Sequence, residues 1–292
     1  MKLARLWVAI LTKDQEGSGT DSEIALVIRQ AGVEVLNYTF PDTEQSDLEK
    51  GVSNLYEVDV SSSNITPENL DDDSIEIRIL DDDELWRPLH ILIWGERQSS
   101  PLATLDTVVP LAIEMNIAPG LSSEGDSTLP IRRVSRGRSS TMPINRLLIL
   151  TKRAALQSSS PSIKSFEVQV VSEGRLVVLS EIRATPQPDG IEGEANFYSA
   201  PVLSPFTKSQ LTNQSIVLRV RDISSWEPEN MFIFGLSKAT GRPDSMVPLV
   251  HLPRWPYGSL EMDITNGMTD ATMPLAKDPP VSSDPIIEGP LR

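Results

Sequence analysis

Apolar residues along the first part of the chain gather into short runs: "RLWVAILT" from Arg5, "SEIALVIRQ" from Ser22, "EVLNYTF" from Glu34, "NLYEVDV" from Asn54, "SIEIRIL" from Ser74, "LHILIWG" from Leu89 and "VVPLAIEM" from Val108. A second series follows: "RLLILTK" from Arg146, "SFEVQVV" from Ser165, "RLVVLSEI" from Arg175, "NFYSAPV" from Asn196, "SIVLRVR" from Ser215, "NMFIFGL" from Asn230 and "MVPLVHL" from Met246. Clusters of Gly, Asp, Ser and Pro part these runs at near-regular spacing, the pattern of antiparallel strands joined by turns. Each sheet then has one apolar face to bury, and two sheets bury each other's. The prediction is an all-β chain of antiparallel β-sandwiches with seven to eight strands each. In "LHILIWG" and "NMFIFG" both alternating faces are apolar, so that strand is expected to be covered on both sides.

The two series are copies. "WRPLHILIWG" from Trp86 returns as "WEPENMFIFG" from Trp226, with Trp86, Pro88 and Gly95 matched by Trp226, Pro228 and Gly235. "ILTK" recurs at Ile10 and Ile149, "DLEKGVSNLY" from Asp47 aligns on "DGIEGEANFY" from Asp189, "IEIRIL" from Ile75 on "IVLRVR" from Ile216, and "DTVVPLA" from Asp106 on "DSMVPLV" from Asp244. These anchors keep their order while the shift drifts only from 138 to 142, so the chain is a tandem duplication. The expected division is a first sandwich over 3–118, a Ser/Gly/Arg-rich linker over 119–142, a second sandwich over 143–263 and a Pro-rich tail over 264–292 without a core of its own.

Charge changes the picture because it is uneven. Net charge is −15, and residues 1–97 hold 8 Lys plus Arg against 21 Asp plus Glu, a balance of −13. Such a surface repels phosphate backbones, which argues against a nucleic-acid partner. The run "RRVSRGR" from Arg132 reads as an exposed connector. With no cysteine, disulfides and thiolate metal sites are excluded. No apolar stretch reaches the roughly 18 to 20 residues of a spanning helix. The N-terminal run reads as a first strand, for a protein expected to be cytoplasmic or released without a recognisable signal peptide, and not transmembrane.

"GSGTDSEIALVI" from Gly17, "DLEKGVSNLYEV" from Asp47 and "LWRPLHILIWG" from Leu85 resemble, in this order, the opening turn, the Asp-Gly-aromatic segment and the late Trp-led strand of the PLAT family, the β-sandwich of polycystin, lipoxygenase and alpha-toxin. The resemblance covers most of the first copy; the second lacks the Gly-Thr-Asp turn but keeps "DGIEGEANFY" and "SWEPENMFIFG". It implies sandwiches of two four-stranded sheets that bind membranes or proteins, catalysis belonging to attached domains. It also brings calcium into view, because some PLAT sandwiches bind it in their loops.

No cofactor is required by these residues; calcium is possible in the first copy, where Asp14, Glu16 and Asp21 surround the opening turn and Asp81, Asp82 and Asp83 follow a strand. Calcium takes six to eight oxygens from neighbouring loops, whereas acidic runs beside strands also serve as solvated guards of sheet edges. Trp86 and Trp226 read as core, Pro88 and Pro228 as strand openers, and Gly95 and Gly235 as turn residues that end the strand. Trp94, Trp255 and Tyr257 are the aromatics that could meet a partner. His90 and His251 lie in different copies, which leaves no histidine-based triad or multi-histidine metal site. The reading is a non-enzymatic protein-interaction or assembly module whose partner is a protein or a larger assembly. Its alternatives are a module bound to membrane lipid through calcium and a carbohydrate-binding accessory protein.

Overall fold

In the computed structural model the described residues are 1–41, 48–80, 85–97, 105–118, 120–122, 127–134, 140–153, 165–183, 195–221, 225–226, 228–255, 260–261 and 270–275. They form two units, one of residues 1–136 with 240–246 and one of residues 137–239 with 247–292.

In the first unit, β1 (Arg5–Thr12) lies between β4 (Ser53–Asp59) and β6 (Pro88–Glu96), and β7 (Val108–Met115) extends the sheet beyond β6. A second sheet runs β3 (Val33–Thr39), β2 (Ile24–Gln30), β5 (Ile75–Ile79) and β8 (Thr128–Pro130). Alternation sends Leu6, Val8 and Ile10 of β1 and Ile91 and Ile93 of β6 inward, onto Ile24, Leu26 and Ile28 of β2 and Ile75, Ile77 and Ile79 of β5. This aliphatic seam is the core. The opposite face of the first sheet is buried as well, at Trp7, Ala9, Leu92 and Trp94. Arg242, from residues 240–246, donates from Nε to Glu114 Oε1 at 3.1 Å and from Nη2 to the Arg133 carbonyl at 3.1 Å.

The second unit repeats the plan. β9 (Ile144–Arg153) lies between β12 (Ala195–Phe206) and β15 (Pro228–Leu236), with β16 (Met246–Leu252) beyond. Its other sheet runs β11 (Arg175–Arg183), β10 (Ser165–Ser172), β13 (Ile216–Arg221) and β18 (Asp270–Leu275), while β14 (Ser225–Trp226) pairs with β17 (Leu260–Glu261). Strand for strand the orders match, each unit being an all-β sandwich of two four-stranded sheets.

The fourth strands alter the reading of the linker and the tail. β8 falls within 119–142 and pairs with β5; β18 falls within 264–292 and pairs with β13. Their sequences, "STLP" from Ser127 and "ATMP" from Ala271, are copies of one another. The basic run is no free connector at its start: Ile131, just ahead of it, bonds the Ile75 carbonyl of β5, Val134 bonds the Leu111 carbonyl of β7, both side chains are buried, and Arg133 Nη1 donates to the Leu70 carbonyl. Arg136 and Arg138 lie outside the described residues.

Finer details recur too. Each β5-type strand follows a 3-10 turn, Pro67–Asn69 or Lys208–Gln210, and a serine whose Oγ accepts a backbone N–H at 2.8 Å, Ser74 from Asp71 and Ser215 from Thr212. The β2–β3 hairpin turns through Ala31 and Gly32 at φ 51° and 78°, the β10–β11 hairpin through Glu173 and Gly174 at 50° and 77°. Two positive-φ residues match the right-handed twist of the flanking strands. Beside each turn the register slips by one residue, between Ile28 and Arg29 and between Val170 and Val171. The added residue bulges, so Val35 and Leu36 both face the first core and Val177 and Val178 both face the second.

Gly95 and Gly235 do not end their strands at a turn. Each is the last residue but one of its strand, under a core side chain that a Cβ would strike: Leu3 Cδ1 at 2.8 Å from one, and Ile144 Cδ1 at 2.7 Å with Cγ2 at 3.0 Å from the other. The two glycines repeat because the close approach repeats.

Outward from the second sheet of unit 1, charge replaces grease. Arg29 Nη1 meets Glu76 Oε2 at 2.7 Å, Arg78 Nη2 meets Glu76 Oε1 at 2.5 Å and Arg29 Nη2 reaches Glu34 Oε2 at 3.8 Å, a lattice lying over buried Ala25 and Val27. Burial alone would raise the Glu76 carboxyl, but hydrogen bonds and charge from Arg29 and Arg78 outweigh it and hold it below its usual range.

Two outcomes are expected. Gly95→Ala and Gly235→Ala should each cost about 1–3 kcal/mol by overpacking, the second more because β-branched Ile144 presents Cγ1 and Cγ2, both fixed on its Cβ, at 2.8 and 3.0 Å, where Leu3 presents mainly the methyl ends of a longer side chain; equal urea midpoints for both variants and wild type would count against this. Because Glu76 is depressed in the folded state, its stabilisation is present above the unfolded carboxylate range and lost as pH falls through the folded value. Urea midpoints of wild type and Glu76→Gln should therefore differ near pH 7 and converge as pH falls below the ordinary carboxylate range; a gap that ignores pH would contradict the ion-pair account.

Candidate functional site

The loops carrying the opening turn meet at one end of unit 1, and Thr12 and Trp86 hold them there. Thr12 N–H donates to the Val52 carbonyl at 3.0 Å and its hydroxyl to the Leu48 carbonyl at 3.1 Å, while the Trp86 indole N–H donates to Thr12 Oγ1 at 3.2 Å. Lys13 N–H bonds the Arg87 carbonyl at 3.0 Å, Arg87 N–H the Ser18 carbonyl at 3.0 Å, and Trp86 and Leu121 exchange both backbone bonds. Trp86 is fully buried and belongs to the core cluster. An indole in that position needs an acceptor once water is gone, and Thr12 supplies it.

Around this hub the carboxylates face water. Asp14, Glu16 and Asp21 are exposed, and Asp14 Oδ1 stands 3.8 Å from Lys50 Nζ. Gly51, at φ 74°, passes so close to Asp14 that a Cβ there would sit 3.3 Å from Asp14 Cβ, which fixes the two loops together. Among the described residues no three His, Cys, Asp or Glu side chains gather closely enough to hold a metal ion. Asp81, Asp82 and Asp83 lie outside the described residues. Asn54 acts as a turn cap: its Oδ1 accepts the Leu48 N–H at 3.0 Å, which steadies Leu48 at φ 57°.

The aromatics separate. Trp94 is not an exposed contact; it is fully buried, stacked on Trp7 at 6.1 Å and 9°. The reason lies in register, since β1 and β6 pair Trp7 with Trp94 and Arg5 with Glu96, and all four side chains share one face. Trp7 Nε1 donates to Glu96 Oε1 at 2.6 Å, Arg5 Nη1 lies 3.7 Å from Glu96 Oε2, and the Arg5 guanidinium stands 6.0 Å from the Trp7 ring centre. This buried charge is paired, as a buried charge must be. Period-two reading of "RLWVA" and "LIWGE" together could have found it; neither run shows it alone.

Trp255 is half-buried, packs against the second core and donates its backbone N–H to the Glu229 carbonyl at 2.9 Å. Tyr257 is outside the described residues, as is the Trp226 side chain; the backbone of Trp226 pairs with Leu260. Pro88 and Pro228 open β6 and β15 and are buried. Both histidines are engaged in structure: His90 Nδ1 accepts the Asn116 N–H at 3.1 Å, and His251 packs on Phe232 at 4.9 Å.

No family model matches the sequence. A comparison with curated proteins gives no match. Among solved structures the chain is similar to "Alpha Toxin from Clostridium Absonum", at 21% identity and a TM-score of 0.35, over 44% of this chain and 31% of that one.

Proposed function

We propose that this chain is a non-enzymatic protein-interaction or assembly module whose first sandwich meets a basic surface of a protein partner. The observation that carries this reading is the concentration of charge, 8 Lys plus Arg against 21 Asp plus Glu in residues 1–97, on a unit whose apolar seam is closed. Exposed carboxylates stand on several loops, among them Asp14, Glu16, Asp21, Glu68 and Asp72. A field of one sign steers an oppositely charged surface and repels anionic lipid. Structural engagement of both histidines supports a role without general acid–base chemistry.

The chain purified from its native source at about 0.05 M salt should carry a stoichiometric basic protein that leaves at roughly 0.5 M, where the Debye length falls to a few ångströms. Recovery of the chain alone at low salt would overturn the reading. So would co-sedimentation with phosphatidylserine vesicles that needs calcium and disappears on chelation, the outcome proper to the lipid alternative.

A further inference from the structure

Arg242 occupies a site that the rest of the first unit builds without it. Its Nε donates to the Ile113 carbonyl at 3.2 Å and to Glu114 Oε1 at 3.1 Å, and its Nη2 to the Arg133 carbonyl at 3.1 Å. Two main-chain carbonyls and one carboxylate thus converge on a single guanidinium. Their positions are set by β7 and the segment beside it: Ile113 N–H bonds the Arg132 carbonyl, Val134 N–H bonds the Leu111 carbonyl, and Arg132 N–H donates to Glu114 Oε1 at 3.2 Å. None of these bonds involves residues 240–246, so the acceptors keep their places whichever cation fills the site.

The geometry selects arginine over lysine. An ammonium is a point charge, whereas a guanidinium holds its donors in one plane, and here Nε and Nη2 reach acceptors from two different stretches of chain. The side chain of Glu114 is 16% exposed and that of Arg242 27%, so the pair is shielded from water yet reachable from it. Arg133 Nη1 is committed to the Leu70 carbonyl and Arg132 is exposed, and one guanidinium replacing another leaves the local charge unchanged. Arg242 arrives on an irregular connection, residues 237–245, in which Lys238, Ala239, Thr240, Gly241 and Asp244 are exposed. Buried Pro243 anchors that connection, so rotation of the Arg242 side chain empties the site without moving the backbone. The second copy lacks the site: the shift of 138 that lays "DTVVPLA" on "DSMVPLV" puts Leu252 where unit 1 has Glu114. The acceptor set therefore belongs to the unit that carries the acidic excess.

We propose that Ile113, Glu114 and Arg133 form an arginine-binding site for the basic protein partner, with Arg242 as the chain's own occupant that the partner's arginine displaces. The assignment rests on the basic-partner reading and names one contact within it. Hexaarginine and hexalysine, titrated into the full chain at about 0.05 M salt, test it. Wild type should bind both through its general acidity. Arg242→Ala should gain at least about tenfold for hexaarginine with little gain for hexalysine, and adding Glu114→Gln should remove that gain. Arg242→Lys keeps a cation on the connection but cannot span the three acceptors; it should show the same selective gain, and carries the test if the alanine variant does not fold. An equal gain for both peptides, no gain in either variant, or a gain that survives Glu114→Gln overturns the site and leaves the basic-partner reading standing. Binding of neither peptide overturns that reading, and the site with it.

Discussion

In each unit two four-stranded sheets bury an apolar face against one another, and the aliphatic seam so formed decides which residues lie on the faces turned away from it. Leu6, Val8 and Ile10 against Ile24, Leu26 and Ile28 in one unit are matched by Leu147 and Ile149 against Val168 and Val170 in the other. Because side chains alternate along a strand wherever no bulge interrupts it, choosing the seam also chooses which residues leave it. Trp7 and Trp94, Arg5 and Glu96 share a face because their neighbours are committed to the seam. The glycines opposite Leu3 and Ile144 let a core side chain close each sandwich at one corner.

The loop end of unit 1 is a different kind of construction. There polar contacts add to the packing of Trp86, Leu48 and Leu121: one threonine ties its own loop to two others, and one buried indole is satisfied by that threonine. The carboxylates of Asp14, Glu16 and Asp21 stand around this hub on its water side.

Much of this architecture was legible in the sequence. Fourteen apolar runs and five ordered anchors gave the duplication and the all-β class, because period-two patterning over five or more residues survives divergence. What escaped were features shorter than that period can register. β8 spans three residues, and its "STLP" lies among Ser, Gly and Arg, so both it and its counterpart "ATMP" looked like connecting chain. The turn use of Gly95 and Gly235 was a natural reading of glycine at the end of an apolar run, yet the close approach of Leu3 and Ile144 comes from residues about 90 positions away. Trp94 looked available because its cover could not be read from its own strand. At the candidate site the acidic composition was visible and its dispersal was not, since spacing along a loop does not tell where carboxylates point.

The one-residue slip beside each hairpin turn has a consequence for how such a protein can change over time. By sending two consecutive residues inward, it hands the two that flank them to solvent as a pair, insulated from the seam. Mutation can rewrite that pair freely, and the duplicated chain has done so: Glu and Asn in one copy, Leu and Leu in the other. A duplication of this fold thus yields two units that share a strand order and differ at the outward pair beside the same bulge.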